Sequence, residues 1–436
     1  MKPAEFGKRR RQLMRMIGRG GVGVLPAAPA KVRSRDVEYP YRQDSDFYYV
    51  TGFAEPEAIA VLAPGRPTGE YILFCRERDP ERETWDGART GPEQAVAVFG
   101  ADDAFPIGDV DEILPGILEQ AERVYYSMGA HPEFDTRLIG WVTALRHRGS
   151  PGTHTPDEFI ALDHLLHDLR LYKSRAETTA MRRAAAVTVA AHRRAMACCR
   201  PGLYEYEIEA EFLHEFRRHG MRPAYLPIVG SGPNACVLHY STNGRQMRAG
   251  DLLLVDAGCE HDFYAADVTR TYPVSGRFSA EQRAIYEIVL EAHAAALQAV
   301  VPGNHWDQPH DAAVAAIARG LRRLGLLDGT LATIRRTASY RRFFMHRTGH
   351  WLGMDVHDVG DYKVGEQWRM LEPGMVLTVE PGIYIPPGDR SVPARWRGIG
   401  VRIEDDVLVT PTGHEVLTQS LPRDPDAVEA LVGSGA

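Results

Sequence analysis

The sequence predicts a mixed α/β protein of two domains, the second of which has helices covering one face of a curved, duplicated antiparallel sheet. Three observations carry this prediction. Segments 250–258 and 374–382 share one pattern: a glycine, a short apolar strand, an acid after a valine, and a second glycine. Each segment follows the same order of helix, Pro-Gly pair and helix. Residues 1–170 alternate short strands and helices, which predicts a separate α/β domain.

In the N-terminal region, Pro-Gly turns separate the periodic segments. Strands are expected at 22–25, 58–62 and 71–74, and helices near 93–99 and 111–120. Residues 159–171 are amphipathic. We therefore predict an N-terminal domain at 1–172 and a second domain at 173–436.

Capping boxes mark the start of each half of the second domain. Ser174 precedes Glu177 by three positions, and Ser279 precedes Gln282 by three, which is the spacing that satisfies the first free N–H groups of a helix. We expect a helix from Ser174 to about Cys199 and another from Ser279 to just before the Pro-Gly pair at 302–303. A further helix should end at Gly220 in the first half and at Gly325 in the second.

Composition narrows the class of protein. The chain has 436 residues, of which 44% are hydrophobic and 25% charged, as in ordinary soluble proteins. A net charge of −7 gives no basis for nucleic-acid binding. The sequence lacks an apolar run long enough for a membrane helix, and the basic segment 8–11 lacks the apolar stretch of an export signal. Five cysteines without a Cys-x-x-Cys pair favour a reducing, cytoplasmic setting.

The first copy of the repeat contains two acids, Asp256 and Asp267, on either side of a predicted hairpin. A two-residue turn at His261-Asp262 would place these acids directly opposite each other. Opposed like charges destabilise a strand pair, so a bound cation would resolve the conflict. The alternative is a pair of acids on a solvated face. His261-Asp262 is a poor turn dipeptide, so this register is a hypothesis.

The second copy supplies matching acids. Glu380 ends its first strand, and Arg402 and Glu404 alternate with the apolar residues of a later strand. Because successive side chains of a strand point to opposite faces, Arg402 and Glu404 should point the same way, away from the core. Glu404 is the expected counterpart of Asp267. Two hairpins would thus contribute four carboxylates.

Three histidines cluster at His346, His350 and His357. The first two have the spacing of a zincin helix, but the glycines nearby argue against a helix and no Glu follows His346. A single such histidine is more often structural than functional. Beside four carboxylates, at least one of them is expected to bind metal.

These residues resemble the metallopeptidases of the "pita-bread" fold, which include methionine aminopeptidase, prolidase, creatinase and aminopeptidase P. The motifs that carry the resemblance are Val-Asp-Ala-Gly, His-Trp-Leu-Gly, Glu-Pro-Gly-Ile-Tyr and Val-Arg-Ile-Glu-Asp. The family's five metal ligands fall, in order, on Asp256, Asp267, His350, Glu380 and Glu404. The N-terminal segment 39–57 looks like the signature of the aminopeptidase P subgroup, which adds a creatinase-like α/β domain.

The resemblance implies a dinuclear metal enzyme that releases the first residue from peptides with proline in second position. A prolidase, which cleaves only Xaa-Pro dipeptides, and a non-catalytic binding module of the same fold are the alternatives. The family favours Mn²⁺, and Zn²⁺ or Co²⁺ also suit oxygen ligands with one histidine.

The resemblance also implies roles for individual residues. Asp267 and Glu404 would bridge two metal ions, and Glu380 would take a proton from the attacking water. His239, His357 and Arg402 would bind substrate and stabilise the oxyanion, with Tyr384 and His346 orienting them. Trp85 would reach the pocket of a neighbouring subunit in a homodimer or homotetramer, or would be an ordinary surface or core tryptophan.

Overall fold

The computed structural model describes residues 1–119, 121–148 and 154–435. It divides into two compact units, Met1–Leu169 and Arg170–Ala436. The division lies close to the boundary predicted near Tyr172.

The N-terminal unit is a mixed sheet with helices. Its helices are α1 (Pro3–Ile17), α2 (Ser45–Thr51), α3 (Pro80–Asp86), α4 (Gly91–Phe99), α5 (Val110–Leu118), α6 (Pro132–Arg148) and α7 (Asp163–Leu171), the last of which extends across the boundary. Its strands are β1 (Gly21–Pro26), β2 (Val32–Ser34), β3 (Val37–Glu38), β4 (Ile59–Leu62), β5 (Tyr71–Cys75), β6 (Asp103–Pro106), β7 (Arg123–Tyr125) and β8 (Glu158–Ile160). Six of the described strands form one sheet in the order β6-β5-β4-β1-β7-β8, and β2 pairs with β3.

The predicted strands and helices of this unit are present, with one refinement. The amphipathic segment 159–171 is divided between β8 and α7, because Phe159 pairs with Val124 of β7 at the edge of the sheet. Gln120, the last residue of the helix predicted at 111–120, lies outside the described residues.

The C-terminal unit confirms the mixed α/β class. Its helices are α8 (Arg175–Cys198), α9 (Glu205–Arg218), α10 (Ala280–Ala299), α11 (Gln308–Arg323), α12 (Leu331–Thr337) and α13 (Pro425–Leu431). Its strands are β9 (Arg222–Pro223), β10 (Ile228–Ser231), β11 (Leu252–Asp256), β12 (Cys259–His261), β13 (Tyr264–Ala265), β14 (Thr269–Pro273), β15 (Lys363–Val364), β16 (Gln367–Trp368), β17 (Val376–Val379), β18 (Gly382–Ile385), β19 (Ile399–Arg402), β20 (Asp405–Thr410) and β21 (Gly413–Val416).

The two halves of this unit are residues 175–273 and 280–416, and each begins with a capped helix. Ser174 accepts from the Glu177 N–H while Glu177 accepts from the Ser174 N–H, and Ser279 and Gln282 repeat the arrangement. Each first helix leads to a Pro-Gly pair whose glycine has positive φ, and a second helix follows (α9 or α11). The strands then form antiparallel sheets in the orders β10-β11-β14 and β17-β20-β21, with β18 paired to β19.

The predicted register of the first hairpin is wrong by two residues. His261 pairs with Tyr264, so the turn is Asp262-Phe263, both with positive φ (49° and 69°). Asp256 consequently faces Thr269 instead of Asp267. Because side chains alternate with a period of two, a shift of two leaves Asp267 on the same face as before, diagonal to Asp256.

The core leaves one face of β11 for the site. Leu253 and Val255 pack into the apolar cluster formed with α8 and α9. Alternation turns Leu254 and Asp256 to the other face, where Leu254 packs with Tyr384 of the second half. Asp256 therefore points to the region where the two halves meet.

Candidate active site

A cavity of about 400 Å³ in the C-terminal unit contains nine of the ten residues predicted from the sequence for the metal and substrate sites. Its lining comprises Leu238, His239, Asp256, Asp267, His346, Arg347, Gly349, His350, His357, Tyr362, Glu380, Arg402 and Glu404. The tenth, Tyr384, is buried behind this lining and contacts two of its members. Trp85 lies in the N-terminal unit, where its side chain is 85% exposed.

One histidine and two carboxylates lie at the centre of the cavity. Asp267, His350 and Glu404 each offer a ligand atom within 4.8 Å of the other two. His350 Nε2 lies 3.3 Å from Asp267 Oδ2 and 3.7 Å from Glu380 Oε1. The segment from His346 to His350 is not helical, as its glycines predicted.

Strands β17 and β20 form one pair, and β18 and β19 form the next. Glu380 and Glu404 lie opposite each other in the gap between these two pairs. Val379 pairs with Asp405 on one side and Gly382 with Arg402 on the other. The second half thus presents two acids from a single antiparallel ribbon, which the sequence repeat predicted.

The electrostatics of these acids fit divalent cations. Burial raises the pKa of Glu404 well above its usual range, and the charge of Asp267 raises it further. Burial likewise raises the pKa of Asp256, and it raises the pKa of Glu380 to about 7. Carboxylates packed this closely cannot all ionise without positive charge between them. Hard oxygen donors with one imidazole are a suitable ligand set for such a cation.

Arg402 connects the first half to the second within the cavity wall. Its Nη2 donates to Asp256 Oδ2, its Nη1 donates to Tyr384 Oη at 3.0 Å, and its Nε donates to Thr269 Oγ1 at 3.0 Å. Thr269 Oγ1 in turn donates to Glu404 Oε2 at 2.6 Å. Arg402 therefore holds both Asp256, a predicted metal ligand, and Tyr384, a predicted orienting residue, in place.

The remaining histidines occupy different environments. His346 Nδ1 donates to the Arg347 carbonyl oxygen (2.6 Å), and its Nε2 accepts from Tyr384 Oη (2.9 Å). Burial lowers the pKa of His346 to about 3, so this ring stays neutral. The ring of His357 lies 4.3 Å from that of His350, centroid to centroid. His239 is exposed at the rim of the cavity.

Tyr225 belongs to the site although the sequence analysis missed it. Its hydroxyl lies 2.6 Å from Asp256 Oδ1 and 2.6 Å from Asp267 Oδ1. Because a hydroxyl carries one proton, it donates to one of these carboxylates at a time. Tyr225 precedes β10 in a segment without periodicity or a motif, so no local signal could have identified it.

The cavity with its clustered acids agrees with the comparison to known families. The model of metallopeptidase family M24 matches residues 179–411, and that of the aminopeptidase P N-terminal domain matches residues 6–125. This chain belongs to metallopeptidase family M24. The M24 match contains the five predicted metal ligands, and the N-terminal match contains Trp85.

Relatives of this M24 chain cover nearly its whole length. It is 45% identical to an Escherichia coli Xaa-Pro aminopeptidase, over 98% of this chain and 97% of the relative. A solved structure of Pseudomonas aeruginosa aminopeptidase PepP superposes with a TM-score of 0.98 and 57% identity, covering 99% of this chain and 98% of that one. A structure of Escherichia coli aminopeptidase P with the inhibitor Pro-Leu has a TM-score of 0.96 and 44% identity, with 99% and 98% covered.

Length and apolar character decide whether a helix can span a bilayer. None of the helices in the described residues has both the length and the apolar character needed to cross a membrane.

Proposed function

We propose that this chain is an aminopeptidase that releases the first residue from peptides with proline in second position. The observation that carries the proposal is the convergence of Asp267, His350 and Glu404 within 4.8 Å, beside Asp256 and Glu380, in a chain similar to Xaa-Pro aminopeptidases over nearly its full length. The proposal gives each of these side chains a chemical role.

Two divalent ions would be held by five residues. Asp256 would complete the ligands of one ion, His350 and Glu380 would complete those of the other, and Asp267 and Glu404 would bridge them. Such a pair polarises the scissile carbonyl and lowers the pKa of a water molecule. Mn²⁺ is the proposed native ion, because four carboxylates and one imidazole form an oxygen-rich ligand set.

Glu380 is the proposed general base. It lines the cavity beside the other proposed ligands, where a carboxylate can take a proton from the attacking water and return it. Its Oε2 lies 3.7 Å from His346 Nδ1, and its Oε1 lies 3.7 Å from His350 Nε2. The departing proline nitrogen carries no proton in the peptide, so its release requires one to be delivered. Glu380 can supply the proton that it received.

His239, His357 and Arg402 are the proposed contacts for substrate and for the developing oxyanion. Donors held in place before the reaction stabilise such a charge without reorganising. Arg402 is held by three hydrogen bonds, and Tyr384 links it to His346. Tyr384 and His346 therefore orient the side of the cavity where Arg402 would contact the substrate.

Two further assignments form part of the proposal. Trp85 projects from α3, a helix without buried residues, so a second copy of the chain could cover it. We propose a homo-oligomer, a dimer or tetramer, on this basis. We also propose a cytoplasmic location, since five free cysteines suit a reducing compartment.

One assay tests the activity directly. The purified protein is incubated with Arg-Pro-Pro and with Ala-Pro, with and without Mn²⁺, and the products are identified. We expect arginine and Pro-Pro from the tripeptide, slower cleavage of the dipeptide, and no cleavage of N-acetylated peptide. The related structure with Pro-Leu, in which a residue follows proline, supports a site that is open beyond proline. Hydrolysis of Ala-Pro alone would indicate a prolidase, and no hydrolysis of either would indicate a binding module.

A further inference from the structure

The loop that carries His239 is anchored by a fully buried carboxylate on a neighbouring helix. This loop, residues 231–245, begins with the last residue of β10 and contains a short 3-10 turn at Gly232–Cys236. Beyond this turn it has no regular structure, and several of its side chains are exposed, including His239. The position of His239 therefore depends on contacts made elsewhere along the loop.

Glu205, the first residue of α9, makes those contacts. Its side chain is fully buried and accepts five hydrogen bonds from four residues of the loop. Oε1 accepts from Ser231 N (2.6 Å), Ser231 Oγ (2.7 Å) and Asn234 Nδ2 (3.0 Å). Oε2 accepts from Tyr240 Oη (2.8 Å) and Arg245 N (2.8 Å). Both ends of the loop, and Tyr240 next to His239, thus donate hydrogen bonds to one carboxylate.

The location of Glu205 suits this task. A negative charge is favourable at the N-terminus of a helix, where the free N–H groups and the macrodipole are positive. The Glu205 N–H itself donates to the Arg245 carbonyl oxygen (3.0 Å), which ties the backbone of the loop to α9 as well. Charge-assisted hydrogen bonds of this kind are shorter and stronger than those between neutral groups.

We propose that Glu205 is a positioning residue for His239, which it fixes at the rim of the cavity through Tyr240 and the closure of the loop. The proposal rests on the proposed role of His239 in binding substrate and the oxyanion. A displacement of about 1 Å in such a group can reduce the rate by about 100-fold, so its support matters for catalysis.

A glutamine at this position would be nearly isosteric but chemically unsuitable. Its one carbonyl oxygen could serve only one of the two sets of donors. If its NH₂ group faced Tyr240 and Arg245, the Arg245 N–H would lose its acceptor. If the NH₂ group faced Ser231 and Asn234, the Ser231 N–H would lose its acceptor. Glu205→Gln therefore perturbs the loop with almost no change of volume.

The experiment is a double-mutant cycle with the metal-loaded enzyme on Arg-Pro-Pro. We expect Glu205→Gln to lower kcat/KM by about 10- to 100-fold, mostly through kcat, with unchanged metal content. The double variant Glu205→Gln/His239→Ala should lie within about twofold of His239→Ala alone, because the two residues act as one unit. A purely structural role would instead give effects that multiply.

Glu209 provides a matched control one turn along the same helix. It accepts from Asn243 Nδ2 (2.9 Å), a single amide donor in the same loop. The carbonyl oxygen of a glutamine can replace that acceptor, so Glu209→Gln should keep kcat/KM within about twofold of the parent. A loss as large as that of Glu205→Gln would overturn the proposal.

A second variant keeps the test decisive if Glu205→Gln does not fold. Tyr240→Phe removes only the hydroxyl that links Glu205 to the neighbour of His239, and we expect a loss of about 3- to 10-fold that disappears in the His239→Ala background. Suppose that His239→Ala greatly lowers kcat/KM and that Tyr240→Phe lowers it by its full factor again in that background. This result would overturn the positioning role of Glu205 but leave the role of His239 intact. A His239→Ala variant with native kcat/KM would remove the proposed role of His239 and this proposal with it.

Discussion

His350 and Asp267 come from different halves of the C-terminal unit, and His350 Nε2 lies 3.3 Å from Asp267 Oδ2. Burial by itself would lower the pKa of His350, but the hydrogen bond to Asp267 and its charge raise that pKa to about 9. The negative charge around His350 therefore attracts a cation, which can be a proton on the ring or a metal ion. A metal ion at the same place would have to displace that proton, as ligands must be deprotonated to bind.

Metal removal should abolish activity. We expect two divalent ions per chain, because the charge of Asp256, Asp267, Glu380 and Glu404 requires compensation. Dialysis against a chelator should remove both ions and all turnover, and Mn²⁺ should restore them. Elemental analysis alongside peptide cleavage provides the measurement. An active protein free of metal would contradict the proposed function.

Replacing the proposed base should separate binding from catalysis. Glu380→Gln removes the proton acceptor but keeps an oxygen ligand, so we expect the fold and at least one ion to remain. Turnover should fall by about 100-fold or more, the scale of a lost general base. Glu366→Gln, an exposed position in the same half, is the control and should leave kcat unchanged. If both variants had similar kinetics, a residue other than Glu380 would have to be the general base.

Tyr225→Phe should weaken metal binding. The change removes the one proton that the Tyr225 hydroxyl donates to either Asp256 or Asp267, and with it a hydrogen bond that orients these carboxylates. Loss of one partner of a hydrogen bond to a charged group costs about 1.5–3 kcal/mol, so we expect about a tenfold or larger rise in the Mn²⁺ concentration needed for half activation.

The control for this variant is Tyr264→Phe. The Tyr264 hydroxyl donates to Glu177 Oε1 (2.8 Å) and is buried in the same half. This substitution should change the melting temperature but not the metal requirement. Metal titration of the two apoproteins tests the difference, and equal requirements would show that Tyr225 does not orient the acids.

His192 should make stability depend on pH. Burial, followed by the charge of Arg270, lowers its pKa to about 3, while its Nε2 donates to the Ala257 carbonyl oxygen (3.1 Å). The unfolded chain, with a histidine pKa of about 6.5, binds the proton first as pH falls. The stabilisation is therefore complete above pH ~6.5 and is lost as pH falls towards 3.

The test compares the parent with His192→Gln, whose amide can still donate to Ala257. Between pH ~7 and ~5, the parent should lose about 2 kcal/mol more unfolding free energy than the variant. Urea unfolding at several pH values measures this difference. Parallel pH profiles for the two proteins would mean that His192 is not the titrating group.

The grouping of the candidate acids was predictable because Asp256 and Glu380 lie at strand ends and strand periodicity fixes the face of a side chain. The register was not predictable, since the turn uses Phe263 at positive φ, a conformation that bulky residues seldom adopt. The prediction that Asp256 and Asp267 share a face survived that error because a shift of two residues preserves the face. An error of one residue would have reversed it.

Other parts of the site could not be predicted from local patterns. Tyr225 reaches Asp267 across a separation of 42 residues, and Glu205 reaches Tyr240 across 35. By its place in the chain, Glu205 is simply an acid in the first turn of a helix. Only the packing of α9 beside β10 turns it into an acceptor for a loop.

The division of the proposed metal ligands between the two halves has a thermodynamic consequence. An ion held by Asp267 and His350 binds both halves at once, so it acts as a cross-link that the unfolded chain cannot form. Ligand linkage then adds about 2.7 kcal/mol of stability when the free metal concentration is 100 times the Kd. The metal supply of the cell would thus control how long the chain survives proteolysis, in addition to how fast it cleaves peptides.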